Sequence, residues 1–452
     1  MQEATTAVES TPASARASAR RARQGLPLYG LLWRWHFWTG ILVVPFLLIL
    51  AVTGGIYVFK DELDPFVHPG RFFVDVPPGA ARVPASAALT AAIEATPGFE
   101  ANQIIVFDDP ARTYHVLLVE EHEHVPGESH PVVERRFAAV DPYSGAVVDQ
   151  WNFREEFFYI VKMLHRRLLA GTPGRILVEL ATCWTIVLLF TGLYLWWPRG
   201  RPNRSVWLPK IRGTKAHAAL RNVHAVIGAY SVPLAFILSF TGLFFAKVWS
   251  TAYLGIGLAT GHLDPAMLEM TPSTVIENAT PVSVDRAIEA ITPLRSNDHS
   301  LEISLPDGPE GSYRIQEVDF ENLSKISGYD VDQYSGEVLG LKRWDDLPAM
   351  FRGRILALSI HLGQIYGMWT KVLAFVSMIL IIAVAVLGVW MWLHRRPAGK
   401  TGFPRGSLRK PVGRGVKLLM IVGGVLMPVA GISMLLILLG DRIVQRFRAR
   451  PA

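Results

Sequence analysis

Cysteine is nearly absent from this sequence, which has a single one, Cys183, among 452 residues. One thiol excludes an intramolecular disulfide framework, a cysteine zinc site, an iron–sulfur cluster and the CxxCH attachment of a covalent haem. Any metal or redox chemistry of this chain therefore has to use other side chains.

Motifs that bind nucleotides or mark hydrolases are also absent. There is no Walker A sequence, no Gly-x-Ser-x-Gly and no HExxH. The glycines Gly255, Gly257 and Gly261 lack dinucleotide-binding spacing, and no predicted strand precedes them. The sequence therefore predicts no flavin or NAD site in this chain. Its net charge of +7 does not indicate nucleic-acid binding, because the basic residues lie beside hydrophobic runs.

Charged residues are scarce. They make up 18% of the chain, against about 25% in soluble globular proteins, and 50% of the residues are hydrophobic. Five apolar runs reach the roughly 20 residues that a membrane-spanning helix needs. These features predict an integral membrane protein with water-facing parts. The predicted segments are a disordered cytoplasmic tail (1–27), span one (28–60), a first outer domain (61–154), an outer amphipathic segment with span two (155–198), a basic loop (199–216), span three (217–247), a second outer domain (248–349), an outer amphipathic segment with span four (350–394), a basic loop (395–416), span five (417–441) and a tail (442–452).

Charge placement orients these spans. The N-terminal tail and both basic loops are rich in Lys and Arg, whereas most acidic residues fall in the two outer domains. By the positive-inside rule we expect a cytoplasmic N-terminus and outer domains that face the periplasm or the cell exterior. The arginines after span five, Arg442 and Arg446 among them, conflict with strict alternation. A fifth span that does not fully cross would remove that conflict.

The chain is internally duplicated. His224 follows His36 by 188 residues, and the same offset relates the Gly, Pro and Thr-Gly positions of spans one and three. His361 follows His165 by 196 residues, as do the Gly and Trp of span four relative to span two. Each outer domain carries a predicted helix, alternating strands and a Tyr-Ser-Gly hairpin turn. The fold class is therefore a duplicated four-helix transmembrane bundle with a fifth helix and two small periplasmic α+β domains, related by an axis along the membrane normal.

Only four of the 13 histidines recur at equivalent positions of the repeat. His36 and His224 open spans that run outward, so we expect them near the cytoplasmic face. His165 and His361 precede spans that run inward, so we expect them near the outer face. Ionisable groups in a membrane are costly and are functional candidates by default. Two neutral imidazoles opposed across a bundle can supply both axial ligands of a non-covalent haem iron.

Other residues extend or compete with this hypothesis. Guanidinium groups near each pair suit haem propionates. The outer-domain histidines His122 and His124 alternate on a predicted strand and could hold a divalent metal, although a solvated strand end explains them as well. The propionate candidates are Arg34 and Arg221 for the inner pair and Arg166, Arg167 and Arg354 for the outer pair, and the second-choice inner ligands are His217 and His394.

The chain resembles the PepSY-associated transmembrane family. The resemblance rests on His-x3-Gly and Thr-Gly in spans one and three, on Leu164-His165-Arg166-Arg167, on Thr191 to Trp196, and on the paired Tyr-Ser-Gly turns. That family includes iron-regulated membrane proteins and an inner-membrane ferric siderophore reductase with two haems. The resemblance implies two bis-histidine haem b groups on His36, His165, His224 and His361. Span four departs from the pattern, with Leu387 where the other spans have Thr.

These observations predict an oxidoreductase that moves electrons across the membrane to a ferric siderophore or another iron chelate. Some relatives carry a fused flavin reductase domain and this chain has none, so a separate cytoplasmic reductase or a quinol would supply the electrons. Two alternatives stay open. One is a regulatory or binding membrane protein without haem, and the other is a transporter of the ferric chelate itself.

Overall fold

The computed structural model describes residues 27–120, 134–198, 206–211, 215–264, 269–295, 299–397, 399–403 and 414–448. Most of the predicted N-terminal tail and the metal candidates His122 and His124 lie outside these residues. The chain divides into a helical unit (Met1–Val52, Arg175–Trp249 and Ser377–Ala452) and a sheet unit (Thr53–Gly174 and Ser250–Val376). The helices are α1 (Pro27–Tyr57), α2 (Lys60–Val67), α3 (Pro69–Phe72), α4 (Ala85–Glu94), α5 (Phe157–Arg167), α6 (Gly171–Trp196), α7 (Ala216–Leu243), α8 (Val248–Ala259), α9 (Val284–Ile291), α10 (Ala349–His361), α11 (Met368–Arg395), α12 (Arg414–Leu426) and α13 (Pro428–Arg448).

Among the described residues, four helices are long and apolar enough to cross a membrane: α1, α6, α7 and α11. They correspond to predicted spans one to four. Two of them, α1 and α7, begin within one residue of the predicted segments 28–60 and 217–247. Nine residues of α1 precede His36, and eight residues of α7 precede His224. The two histidines therefore lie inside their helices rather than at the first turn, by about 12 to 14 Å of helical rise.

The predicted fifth span is not among the candidate spans of the described residues. Two helices occupy that region, and their apolar parts, Lys417–Leu426 and Pro428–Gly440, are too short to span. The break falls at Pro428, whose ring and missing N–H end a helix. The chain then turns back sharply, because a Cβ added to Gly424 would lie 3.2 Å from the Cα of Gly431. In a continuous helix, residues seven apart would be separated by about 10 Å.

The sheet unit also differs from expectation. The sequence predicted two small domains, but their strands form one antiparallel sheet of eight strands in the order β4-β3-β2-β1-β5-β6-β7-β8. The two repeats join where β1 pairs with β5, with Ile104 opposite Ile303. This pairing removes two exposed strand edges, which are otherwise sites of aggregation. The strands are β1 (Phe99–Val106), β2 (Tyr114–Glu120), β3 (Arg135–Val140), β4 (Val147–Asn152), β5 (Leu301–Ser304), β6 (Ser312–Glu317), β7 (Ser327–Asp332) and β8 (Val338–Arg343).

One face of the sheet carries the hydrophobic core. Alternate residues of strands such as β2 and β6, for example Val116 and Ile315, are fully buried there with residues of α4 and α9. Period-two alternation gives each strand one apolar face, and two helices cover it. The Tyr-Ser-Gly turns end in Gly145 and Gly336, with φ of 73° and 72°. Glycine adopts that left-handed conformation without the steric cost of a Cβ.

Candidate functional site

The helical unit brings His36 of α1 next to His224 of α7. Their ring centroids are 6.4 Å apart and their planes are inclined by 80°. In the sheet unit, His165 of α5 lies next to His361, the last residue of α10. Here the centroids are 6.2 Å apart and the planes are inclined by 58°. The structure therefore brings together the histidines of each predicted pair.

Hydrogen bonds orient the inner imidazoles. Nδ1 of His224 lies 3.0 Å from the Val384 carbonyl oxygen, which can only accept, so Nδ1 carries the proton. Nδ1 of His36 lies 3.0 Å from Oγ1 of Thr191. That hydroxyl donates to the Val187 carbonyl, so its oxygen is available to accept from His36. In the neutral ring, Nε2 then carries the lone pair.

His165 lies beside a threonine hydroxyl, as His36 does. Its Nδ1 lies 3.0 Å from Oγ1 of Thr53, near the end of α1. Helix α5 ends just after His165 with Leu168 and Leu169 at φ of 50° and 55°. Positive φ is rare for bulky residues and costs free energy, so the surrounding structure must hold this turn in place. The turn fixes how far α5 extends and hence where His165 lies.

Each pair fits a bis-imidazole iron site. Two imidazoles on opposite sides of one iron have ring centroids about 6.2 Å apart, given metal–nitrogen bonds of about 2.0 Å and a ring radius of about 1.1 Å. The measured separations of 6.4 and 6.2 Å agree with this value. A haem needs only two protein ligands of this kind. Within the described ranges, no cluster of three or more His, Cys, Asp or Glu residues could hold a metal ion without a macrocycle.

The remaining candidates lie at varied positions. His217 and His394 are exposed and lie near helix ends, and His394 contacts the Trp390 ring at 6.0 Å. Neither has the half-buried, paired arrangement of His36 and His224. Arg34 donates to the Gly30 carbonyl at 3.2 Å. Of the other propionate candidates, Arg221 and Arg167 are exposed, and Arg166 and Arg354 are half-buried.

Sequence reasoning missed the residues that contact the inner imidazoles from the facing helix. Gly192 of α6 and Gly388 of α11 approach His36 and His224, respectively, at Cε1. Both glycines had been noticed only as markers of the repeat. Their spacing of 27 residues from His165 and His361 was visible, but which imidazole each would face depends on how the helices pack.

Comparison with known families agrees with the motifs. A family model described as PepSY-associated TM region matches residues 33–395, which is most of the chain. No curated protein matches the sequence.

Proposed function

The chain belongs to the PepSY-associated TM region family, and we propose that it is a di-haem b electron-transfer protein of the bacterial inner membrane. Its acceptor would be Fe(III) held by a siderophore or a similar chelate at the periplasmic face. The observation that carries this proposal is the meeting of two histidine pairs, each at the separation that one iron requires. Four histidines in a repeat could be interfacial residues, but interfacial residues have no reason to meet in pairs.

The residues present suit a resident haem at each pair. His36 and His224 would hold one group, and His165 and His361 the other. A bound haem would supply one-electron chemistry, since its iron alternates between Fe(III) and Fe(II). The protein contributes orientation: the bonds from Nδ1 of His36 and His224 hold the proton on that nitrogen and leave Nε2 for the metal.

The proposed overall reaction balances simply. Each Fe(III) chelate gains one electron and becomes an Fe(II) chelate. A two-electron donor such as a quinol would serve two chelates and release two protons. Fe(II) is a softer ion that matches hard oxygen ligands less well, so reduction weakens the chelate and favours release. The donor is a separate cytoplasmic reductase or membrane quinol. The basic loops support a cytoplasmic N-terminus and a periplasmic sheet.

An absorption spectrum of the purified protein tests the proposal. The protein is expressed with haem supplied, and spectra are recorded after oxidation and after dithionite reduction. We expect a reducible low-spin haem band with two haems per chain. His361→Ala should remove one haem, and His224→Ala should remove the other. Wild-type protein without any haem band would refute the proposal.

The two alternatives predict different results. A regulatory or binding protein without haem would give the same spectrum and activity in all four His→Ala variants. A chelate transporter would take up radiolabelled chelate without reducing its iron. Reconstituted vesicles loaded with an Fe(II) indicator separate these outcomes, because only a reductase produces Fe(II) when a reduced donor is added.

A further inference from the structure

Two glycines lie against the inner imidazoles at equivalent places of the repeat. A Cβ added to Gly192 would lie 3.0 Å from Cε1 of His36, and a Cβ added to Gly388 would lie 3.4 Å from Cε1 of His224. Cε1 lies between the two ring nitrogens. A methyl group at Gly192 would therefore crowd the edge of the His36 ring around Cε1, whereas one at Gly388 would reach van der Waals contact with the same edge of His224.

The helices that carry these glycines, α6 and α11, also hydrogen-bond to Nδ1 of the imidazoles. His224 donates to the carbonyl of Val384, one turn before Gly388. Nδ1 of His36 instead lies 3.0 Å from the hydroxyl of Thr191, the residue just before Gly192, and the second repeat has Leu387 at that place. Each ring thus lies against one glycine of the facing helix and hydrogen-bonds to that same helix.

We propose that Gly192 and Gly388 are positioning residues that set the inner imidazoles for one haem iron. This rests on the proposed function. Two contacts with the facing helix hold each imidazole: the glycine beside Cε1 and the hydrogen bond from Nδ1. Together they fix the rotation of the ring and its distance from the partner ring. Repetition of this arrangement in both repeats supports the assignment, because general helix packing would not place a glycine against the same ring atom twice.

Alanine substitution at matched glycines tests the assignment. Gly192→Ala and Gly388→Ala are compared with Gly40→Ala and Gly228→Ala, where an added Cβ meets only side-chain carbons at 3.9 to 4.0 Å. Haem per chain and the reduced-minus-oxidised spectrum are measured. We expect inner-haem occupancy to fall about tenfold in Gly192→Ala and less in Gly388→Ala. The two control variants should match the wild type.

The outer haem reports whether each variant is folded. A Gly192→Ala protein that keeps its outer haem and loses the inner one supports the proposal. A Gly192→Ala protein with the full wild-type spectrum overturns it, while the proposed function survives. A wild-type protein without haem defeats the proposed function instead, so the two failures are distinguishable.

Substitution of Thr191 gives a second test, in which the midpoint potential of the inner haem is measured. A purely structural role of this residue would leave that potential unchanged. Thr191→Val removes the hydroxyl near Nδ1 of His36 and keeps the volume. We expect the midpoint potential of the inner haem to change, and Thr191→Ser to restore it. An unchanged potential in Thr191→Val would overturn the part of the proposal that concerns this hydrogen bond.

The C-terminal helices carry a second, independent inference. Arg414 and Lys417 begin α12, and Arg442, Arg446 and Arg448 end α13. Both ends of the pair are therefore basic, which by the positive-inside rule favours one side of the membrane for both. The apolar part of each helix is no more than about 20 Å long, against about 30 Å of hydrocarbon.

The turn between these helices contacts the rest of the helical unit. Nε1 of Trp249 donates to the Leu426 carbonyl at 2.9 Å, and Nε1 of Trp184 donates to Oγ of Ser433 at 3.1 Å. Ala430, at the turn, is fully buried against Cys183 and Leu243. Within a membrane, backbone groups released by a helix break need partners from the protein, and Trp249 supplies one.

We infer that α12 and α13 form a re-entrant hairpin that returns the C-terminus to the side of the basic loops. Single-cysteine labelling tests this in a Cys183→Ala background, since Cys183 is the only cysteine. Ile443→Cys is compared with Lys215→Cys beside α7 and with Glu100→Cys in the sheet, all at exposed positions. We expect a membrane-impermeant maleimide to label Ile443→Cys and Lys215→Cys from the same side. Labelling of Ile443→Cys together with Glu100→Cys would show a complete fifth crossing and overturn the inference.

Discussion

The two repeats secure their spans with different chemistry at equivalent positions. In the first repeat, Arg175 of α6 donates to the Phe245 and Ala246 carbonyls, just after α7. Glu179, one turn along, accepts from the backbone amides of Val248 and Trp249 at 2.8 and 2.9 Å. The first repeat thus uses ionised side chains to bind backbone groups at the start of α8.

The second repeat replaces this arrangement with ion pairs. Lys371 of α11, equivalent to Arg175, lies 2.6 Å from Glu62 and 3.5 Å from Asp61, just after α1. The position equivalent to Glu179 is Phe375, which contacts the Phe59 ring at 5.4 Å. By contrast, the glycine that lies against Cε1 of His36 is repeated at His224. Duplication has therefore kept a glycine beside each imidazole and changed the contacts that fix the helix ends.

The largest expected effect comes from Glu179. Glu179→Met should destabilise the protein by about 4 kcal/mol, because two amides at the start of α8 lose a charged acceptor in a buried site. Phe375→Leu, at the equivalent position, should cost about 1 kcal/mol. Thermal unfolding of both variants in detergent checks the difference. Equal stability losses would mean that Glu179 acts only by filling space.

The sheet unit offers a second contrast between the two repeats, in how its stability depends on pH. His115 of β2 is buried among the rings of Phe72, Phe107 and Trp151. Burial, together with nearby arginines and a lysine, lowers the pKa of His115 to about 4. The equivalent residue of β6 is Arg314. Below about pH 6.5 the His115 side chain binds a proton in the unfolded chain, whereas in the folded protein it stays neutral until the pH falls to about 4.

Stability conferred by neutral His115 is therefore complete above pH 6.5 and is lost as the pH falls. The loss reaches about 3 kcal/mol by pH 4. Urea unfolding of the full chain between pH 7 and pH 4 measures this slope, and His115→Leu should flatten it. An identical slope in that variant would assign the acid sensitivity to carboxylates instead.

Salt should separate the two arrangements at the helix ends. Lys371→Met should cost about 2 kcal/mol, since Lys371 is buried but its acidic partners are half-exposed. Ions screen charge pairs near the surface, so this cost should shrink in 1 M salt, where the Debye length is about 3 Å. The cost of Arg175→Met should hardly change, because its partners are backbone carbonyls. A salt-independent cost for Lys371→Met would contradict the ion-pair interpretation.

The smallest expected effect concerns how the halves of the sheet are joined. Asp285 of α9 accepts from the amides of Ala85 and Ser86, and so caps α4 of the other repeat. Asp285→Ala should cost about 1 kcal/mol, a usual value for loss of an N-cap. Ser86 is the equivalent residue of α4, and Ser86→Ala should cost less than about 0.5 kcal/mol. Chemical unfolding monitored by tryptophan fluorescence compares the two, and equal costs would remove this asymmetry.

Several features could be predicted from the sequence for a clear physical reason. Spans one to four follow from runs of apolar residues, and the family follows from motifs within them. The Tyr-Ser-Gly turns follow from the need for glycine at positive φ, which Gly145 and Gly336 satisfy. The sequence predicted one helix for the fifth span because composition alone cannot distinguish one long helix from two short ones. Pro428 was the residue that indicated a break between them.

The sequence by itself determined the class of protein, the duplication and the two histidine pairs, because hydrophobicity and residue spacing are local and countable. Only the tertiary structure decided that the outer strands form one sheet, that the C-terminal helices fold back on each other, and that Gly192 and Gly388 face the inner imidazoles. These outcomes depend on which surfaces meet across hundreds of residues. Strand edges, helix faces and backbone carbonyls have many possible partners, and packing of the whole chain selects among them.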